Sequence, residues 1–268
     1  MTDMEEIIQN YLSPAYPWRG SLTILSQVDS TNNRLKALAK AGAPHGTAIV
    51  ADHQTGGRGR RGRTFQSPAN MGVYLSMLLR PPCEAQDIMH LTCAAGCAMC
   101  DAVEKAAGFR PGIKWTNDLV WEKRKLGGIL TELGFTAEGK FDYAIVGIGI
   151  NCCQSAQDFP PEIRDVAASL SMVTGSAVDR WKLAAAELES LWEMDKNLLR
   201  GKKEILFQYR KDCVTVGQHI SLVRGEEVRH GFACDIDNDG ALIVRFPDGH
   251  MEAVSSGEVS VRGMYGYV

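Results

Sequence analysis

The chain has 268 residues, of which 45% are hydrophobic and 23% charged, and its formal net charge is −3. This composition is typical of a globular protein, and the slight acidity argues against a general basic surface for DNA or RNA. No apolar run approaches the roughly 18–20 residues that cross a bilayer. The first twenty residues contain early acids and lack the pattern of a signal peptide. We therefore expect a cytoplasmic protein without a membrane partner.

Eight cysteines raise the question of disulfides or a metal site. A chain of this length does not need disulfides to fold. Cys93, Cys97 and Cys100 are spaced like one face of a helix, and no second cysteine or histidine pair stands at zinc-site spacing from the CxxC that the last two form. We interpret these three as small hydrophobic residues of the core, in a reducing compartment.

Strand-like and helix-like segments alternate along most of the chain, bounded by capping residues, glycines and prolines. In chain order we predict a strand at 22–28, a helix from the capping residues 29–32 to Gly42, strands at 47–51 and 72–79, a long helix at 85–108, short strands at 112–115 and 119–121, strands at 126–133 and 141–150, a short helix near 166–173 in the otherwise irregular stretch 152–177, and helices at 178–199 and 203–210.

The pattern changes at about residue 214. Short strands at 219–223, 228–236, 241–246 and 251–254 are separated by Arg-Gly and Asp-Gly turns, which favour hairpins. We therefore predict an N-terminal extension at 1–20, a main domain at 21–213 and a small β-barrel at 214–268.

Residues 53–63, His-Gln-Thr-Gly-Gly-Arg-Gly-Arg-Arg-Gly-Arg, have a composition that no packed helix or strand favours, so we predict a loop. Glycine allows close approach of the backbone to a ligand, and arginine offers a planar fork of donors to carboxylate or phosphate. A mobile linker and a nucleic-acid patch are the alternatives to a small anionic ligand.

Polar or glycine residues stand at the ends of four predicted segments, namely Ser30-Thr31-Asn32, 54–63, 114–125 and 147–151. Taken singly, Ser30 caps a helix, Lys125 decorates a hairpin and Asn151 is a turn residue. Together they predict a pocket with neutral hydrogen-bonding groups at one end and cations at the other. A dinucleotide fingerprint at Gly147–Asn151 is discarded because its third glycine and following helix are missing.

Five motifs in order resemble those of biotin protein ligases. They are Asp-Ser-Thr-Asn at 29–32, Gln-Thr-Gly-Gly-Arg-Gly-Arg-Arg-Gly-Arg at 54–63, Lys-Trp-Thr-Asn-Asp-Leu at 114–119, Arg-Lys-Leu-Gly-Gly-Ile-Leu at 124–130 and Gly-Ile-Gly-Ile-Asn at 147–151. The resemblance implies an α+β fold: a mixed β-sheet with flanking helices, like the catalytic domain of class II aminoacyl-tRNA synthetases, plus a C-terminal SH3-like β-barrel. Thr116 departs from the family, which usually has proline there.

The resemblance also implies a two-step reaction. The biotin carboxylate attacks the α-phosphate of ATP, with Mg²⁺ bound to the ATP, and gives biotinyl-5′-adenylate and pyrophosphate. A lysine of a biotin carboxyl carrier protein or domain then attacks this anhydride and releases AMP. No dedicated metal ligands and no covalent protein nucleophile are expected.

By motif position, the resemblance assigns residues to three roles. Catalytic roles go to Lys125, Arg58 and Arg60. Biotin binding goes to Ser30, Thr31, Asn32, Gln54, Gly57, Arg58, Lys125, Gly128 and Gly149. Nucleotide and phosphate binding go to Arg58, Arg60, Arg61, Arg63, Asn117, Asp118 and Asn151.

Other interpretations are a lipoate or octanoate ligase, which would share the scaffold, and a non-enzymatic protein that binds biotin or RNA through its basic loop. Some family members carry an N-terminal winged helix-turn-helix and repress transcription. About twenty residues precede the first predicted strand here, too few for such a domain, so no direct DNA binding is expected. A homodimer and a monomer fit the sequence equally well.

Overall fold

The computed structural model describes residues 3–255 and 260–263. Its elements are α1 (Asp3–Tyr11), β1 (Leu22–Leu25), α2 (Thr31–Lys40), β2 (Ala48–Ala51), β3 (Gly72–Leu79), α3 (Leu91–Ala107), β4 (Gly112–Lys114), β5 (Asp118–Trp121), β6 (Arg124–Phe135), β7 (Phe141–Asn151), α4 (Leu170–Thr174), α5 (Arg180–Asn197), α6 (Lys202–Asp212), β8 (His219–Arg224), β9 (Glu227–Ile236), β10 (Leu242–Arg245), β11 (Met251–Val254) and β12 (Ser260–Gly263).

The first seven strands form one mixed sheet in the order β1-β2-β3-β7-β6-β5-β4. Only β1 and β2 pair in parallel, and every other neighbouring pair is antiparallel. All eight residues of β3 are buried, as expected for a continuous apolar strand covered on both faces. The predicted mixed sheet with flanking helices is confirmed.

Helices cover both faces of this sheet. Residues of α3 and α5 belong to the large apolar core, and Leu35 and Ala39 of α2 pack with Ile49, Leu78 and Tyr143 in a smaller cluster. The cysteines of α3 lie in the large core, which confirms their interpretation as small core residues; all eight cysteines are free thiols. Within the described ranges, no helix is both long enough and apolar enough to cross a membrane.

The second sheet has five antiparallel strands in the order β11-β10-β9-β8-β12 and belongs to a small SH3-like domain. Gly225, Gly240 and Gly249 have φ of 60°, 87° and 88°. Left-handed backbone favours glycine, which explains the hairpin turns seen in the sequence. The strand β12 was not predicted, and residues 256–259 and 264–268 of the predicted domain lie outside the described part.

Three predicted boundaries are wrong by more than two residues. The long helix begins at Leu91 because residues 85–88 form a separate 3₁₀ turn, closed by reciprocal bonds between Glu84 and Asp87. The first strand ends at Leu25, since Val28 makes only an isolated bridge to Gln54. The short helix near 166–173 is shifted to 170–174, where the Ser169 hydroxyl accepts from the Met172 N–H.

Candidate active site

One cavity of about 570 Å³ opens beside the central strands. Its wall combines the start of α2, the glycine–arginine segment, the β5–β6 hairpin and the middle of β7, so distant parts of the sequence meet there. Every predicted site residue lines it except Gly57 and Asn151. Those lining it are Ser30, Thr31, Asn32, Gln54, Arg58, Arg60, Arg61, Arg63, Asn117, Asp118, Lys125, Gly128 and Gly149.

The end of the cavity near α2 carries neutral hydrogen-bonding groups. The N–H and hydroxyl of Thr31 both donate to Gln54 Oε1, at 2.8 and 3.1 Å, and Gln54 Nε2 donates to Ser67 Oγ at 3.0 Å. Ser30 precedes the first turn of α2 and is buried, yet its side chain makes no capping bond. A capping bond therefore does not explain Ser30, which lines the cavity.

Position 147 on β7 requires glycine because there is no space for a side chain. A Cβ atom there would lie 2.0 Å from Asn32 Oδ1. Asn32 cannot easily retreat, because its Oδ1 accepts from Ser76 Oγ at 2.5 Å and its Nδ2 donates to Glu132 Oε2 at 3.0 Å. The motif at 147–151 thus provides a flat strand surface against which α2 presents its polar side chains.

The glycine–arginine segment is a loop, as predicted, and its residues 57–65 fold back on themselves as a tight hairpin loop, which we call the arginine hairpin. The Phe65 N–H donates to Gly57 O at 2.9 Å. A Cβ at Gly57 would lie 2.3 Å from Phe65 O, so glycine there lets the two arms close. Arg61 and Gly62, with φ of 57° and 74°, make the tip.

Arg58 is attached to the sheet by a carboxylate that the sequence interpretation missed. Its guanidinium donates to both oxygens of Glu132, at 3.0 and 3.1 Å, and to Asn33 Oδ1 at 2.9 Å. Lys36 Nζ donates to the same carboxylate at 2.8 Å. Burial raises the pKa of Glu132, but hydrogen bonds from Lys36, Asn32 and Arg58 outweigh it, and the pKa lies below the ordinary 4.5.

This lowered pKa predicts a pH dependence of stability. Glu132 has a lower pKa in the folded than in the unfolded chain, so its network contributes fully above the unfolded value of about 4.5 and is lost as the pH falls through the folded value. Thermal unfolding of the wild type and Glu132→Gln should differ most near neutral pH, and the difference should shrink as the pH falls below 4.5. A difference that does not shrink with falling pH over the whole range in which both proteins are folded would contradict this linkage.

The other arginines of the hairpin point to different surroundings. Arg60 Nη1 donates to Asn117 Oδ1 at 2.7 Å, and burial lowers the pKa of Arg60, although a guanidinium stays charged at neutral pH. Arg61 Nη1 lies 3.5 Å from Val223 O in the C-terminal domain. Arg63 is exposed. The hairpin therefore spans the cavity from the sheet to the second domain.

Lys125 lies at the opposite wall, at the start of β6. Its Nζ is 2.6 Å from Asp118 Oδ1 across the β5–β6 hairpin. Its main chain is held on both sides, because its N–H donates to Val166 O at 2.7 Å and its carbonyl accepts from the Ala168 N–H at 2.8 Å. A Cβ at Gly128 would lie 3.3 Å from Nζ, so glycine there keeps space beside the ammonium group.

A second cavity of about 540 Å³ adjoins the first. The two share Thr64, Phe65, Lys125 and Val166 in their walls. Asn151 lines the second cavity, with its Nδ2 donating to Ala168 O at 3.1 Å. Lys125 thus stands where the two spaces meet.

Thr116, the departure from the family pattern, is buried in the turn between β4 and β5. The Trp115–Thr116 peptide bond is cis, and Thr116 O accepts from the Tyr209 hydroxyl at 2.9 Å. Residues that line the first cavity without having been predicted include Phe65, Lys114, Trp115 and Gly147. Lys114 and Trp115 belong to the motif at 114–119, and this motif is the sequence signal that could have identified them as site residues.

Comparisons with known proteins show the family to which the chain is similar. Residues 24–151 match the Biotin/lipoate A/B protein ligase family and residues 215–262 the Biotin protein ligase C terminal domain. The chain is 34% identical over 223 residues to the bifunctional ligase/repressor BirA of Bacillus subtilis, covering 83% of this chain and 68% of that protein. It is 32% identical to the biotin–[acetyl-CoA-carboxylase] ligase of Mycobacterium tuberculosis, covering 90% and 89%.

A solved structure of the biotin protein ligase from Aquifex aeolicus in complex with biotin and ATP superposes with a TM-score of 0.78 at 32% identity. It covers 90% of this chain and 98% of that one, so the likeness includes both the catalytic sheet and the C-terminal domain. On these matches, and on the arrangement of its five motifs around one cavity, the chain belongs to the biotin protein ligase family.

Proposed function

We propose that this chain joins biotin to the AMP moiety of ATP, which gives biotinyl-5′-adenylate and pyrophosphate. It then transfers biotin to a lysine of a biotin carboxyl carrier protein or domain. The observation that carries the proposal is a single cavity with a neutral hydrogen-bonding end at Thr31 and Gln54 and a cationic end at Arg58, Arg60 and Lys125. The uncharged ureido head of biotin matches the first end, and its carboxylate and the phosphates match the second.

In the first step, two anions must approach each other. Arg58 and Lys125 offset their mutual repulsion, and Lys125 stabilises the charge that develops on the phosphoryl oxygens as the carboxylate attacks. The nucleotide occupies the second cavity, where Asn151 offers an amide, so that the α-phosphate lies beside Lys125 at the junction. The carboxylate of biotin is the nucleophile, and Lys125 acts as an electrostatic stabiliser.

In the second step, the carrier lysine attacks the acyl carbon and AMP leaves. The same cations stabilise the departing phosphate. Magnesium bound to ATP would neutralise part of the phosphate charge. Asn117 Oδ1 accepts from Arg60 and Asp118 Oδ1 contacts Lys125, so the ion would be held chiefly by the phosphates of ATP.

The decisive experiment measures pyrophosphate release from ATP and magnesium with biotin or with lipoate, and then the mass of an added carrier domain. Of the two acids, only biotin should support pyrophosphate release, and the carrier should gain one biotinyl group. Release with lipoate only would establish the rival ligase activity. Salt-sensitive RNA binding without pyrophosphate release would instead support the non-enzymatic interpretation.

We predict that the arginine hairpin becomes more protected from proteolysis when the adenylate forms. Its cations then bind the phosphate, and the closed hairpin shields the anhydride from water. Trypsin digestion with and without biotin plus ATP tests this at Arg60, Arg61 and Arg63. Cleavage should slow with both ligands present. Equal cleavage in the two states would contradict closure.

A further inference from the structure

Glu132 lies behind the cavity wall, and both oxygens of its carboxylate are fully hydrogen-bonded by other residues of the protein. It does not line the cavity, and its side chain is only 17% exposed. Oε1 accepts from Lys36 and Arg58, and Oε2 accepts from Asn32 and Arg58, at distances of 2.8 to 3.1 Å. A carboxylate has about four lone-pair sites, so all of its acceptor capacity is used by the protein.

Arg58, in contrast, keeps capacity for a ligand. Its bonds to Glu132 and Asn33 use three of the five N–H donors of a guanidinium. Its side chain is 38% exposed and lines the cavity. Lys36 adds a second cation beside the one carboxylate, so the group retains net positive charge.

The two ends of this ion pair lie on different parts of the fold. Glu132 lies on β6, where it pairs with Ile145 of the central strand β7. Arg58 lies on the arginine hairpin, outside the sheet, where its backbone makes only an isolated bridge to Thr64. A bidentate bond fixes a guanidinium in orientation as well as in position. Glu132 is therefore suited to transfer the rigidity of the sheet to Arg58.

We propose that Glu132 is a positioning residue for the reaction, which holds Arg58 where the substrate carboxylate will bind. This inference rests on the proposed function, since it takes biotin as the carboxylate. Without Glu132, Arg58 would still be charged but would sample several places, and binding would have to restrict it. The loss would fall on biotin affinity more than on the chemical step, because Lys125 keeps its own contacts.

The test is Glu132→Gln in the full chain, with biotin binding followed by calorimetry and adenylate formation by pyrophosphate release. We expect the KM and Kd for biotin to rise about tenfold, with kcat changed less than about twofold. Glu138→Gln, at an exposed position in the β6–β7 turn, is the matched control and should behave as the wild type. Thermal unfolding confirms that each variant is folded.

Two further variants keep the test decisive if Glu132→Gln is poorly folded. Glu132→Asp keeps the charge with a shorter reach and should raise the KM for biotin by less than Glu132→Gln. Lys36→Met leaves the Arg58–Glu132 pair intact and should raise the KM for biotin by less than about threefold. Unchanged or tighter biotin binding by folded Glu132→Gln or Glu132→Asp would overturn the proposal. Failure of the wild type to bind biotin would instead refute the proposed function.

Discussion

Replacing Lys125 with alanine is expected to slow adenylate formation by about 10²–10³-fold. The Lys125 ammonium stands where the two cavities meet, and removing it leaves the approaching carboxylate and phosphate without a cation between them. The main-chain bonds of Lys125 to Val166 and Ala168 do not depend on its side chain, so the fold should persist. Single-turnover pyrophosphate release measures the effect.

The matched control is Lys123→Ala, at the exposed tip of the same hairpin. This variant removes an equal charge two residues away and should keep wild-type rates. Circular dichroism and thermal unfolding establish that both variants are folded. Wild-type pyrophosphate release by folded Lys125→Ala would remove Lys125 from the chemical step.

Gly147→Ala is expected to weaken biotin binding by about a hundredfold and to destabilise the fold by about 1–3 kcal/mol. The new methyl group would overlap Asn32, which Ser76 and Glu132 hold in place. Relief requires a shift of α2 or of β7, and either shift moves the neutral end of the cavity. Biotin titration by calorimetry measures the first effect and chemical denaturation the second.

Gly20→Ala is the control for this substitution, because a Cβ at Gly20 meets nothing within 4 Å. It should leave biotin affinity and stability within experimental error of the wild type. A Gly147→Ala protein that binds biotin normally would show that the packing between α2 and β7 does not shape the binding site.

The sequence predicted the interior elements better than their ends. The strand β3 was located at 72–79 because an apolar run with clear stops leaves few alternatives. The start of α3 was misplaced because residues 85–90 have helical composition, while a local bond between Glu84 and Asp87 forms a separate turn. Such short competing bonds decide boundaries, and composition does not resolve them.

The residues of the site likewise divide into those that the sequence located and those that it missed. Residues inside glycine-containing motifs, such as Gln54, Arg58 and Lys125, were located because the motifs mark strand ends. Glu132 was missed because it lies within a strand and its partners are about 74 to 100 residues away in sequence. The place of Asn151 in a second cavity likewise depends on the path of residues 154–167, which follows from tertiary packing.

The bonds that hold Lys125 between Val166 and Ala168 have a consequence for sequence variation. Both are made by peptide groups, so the bonds themselves require no particular side chain at positions 166 and 168, although Ala168 is buried in the large core. Proline at 168 would remove one of them, because it lacks the N–H that Lys125 O requires. The place of the Lys125 backbone therefore depends on the path of residues 166–168 rather than on the chemistry of their side chains.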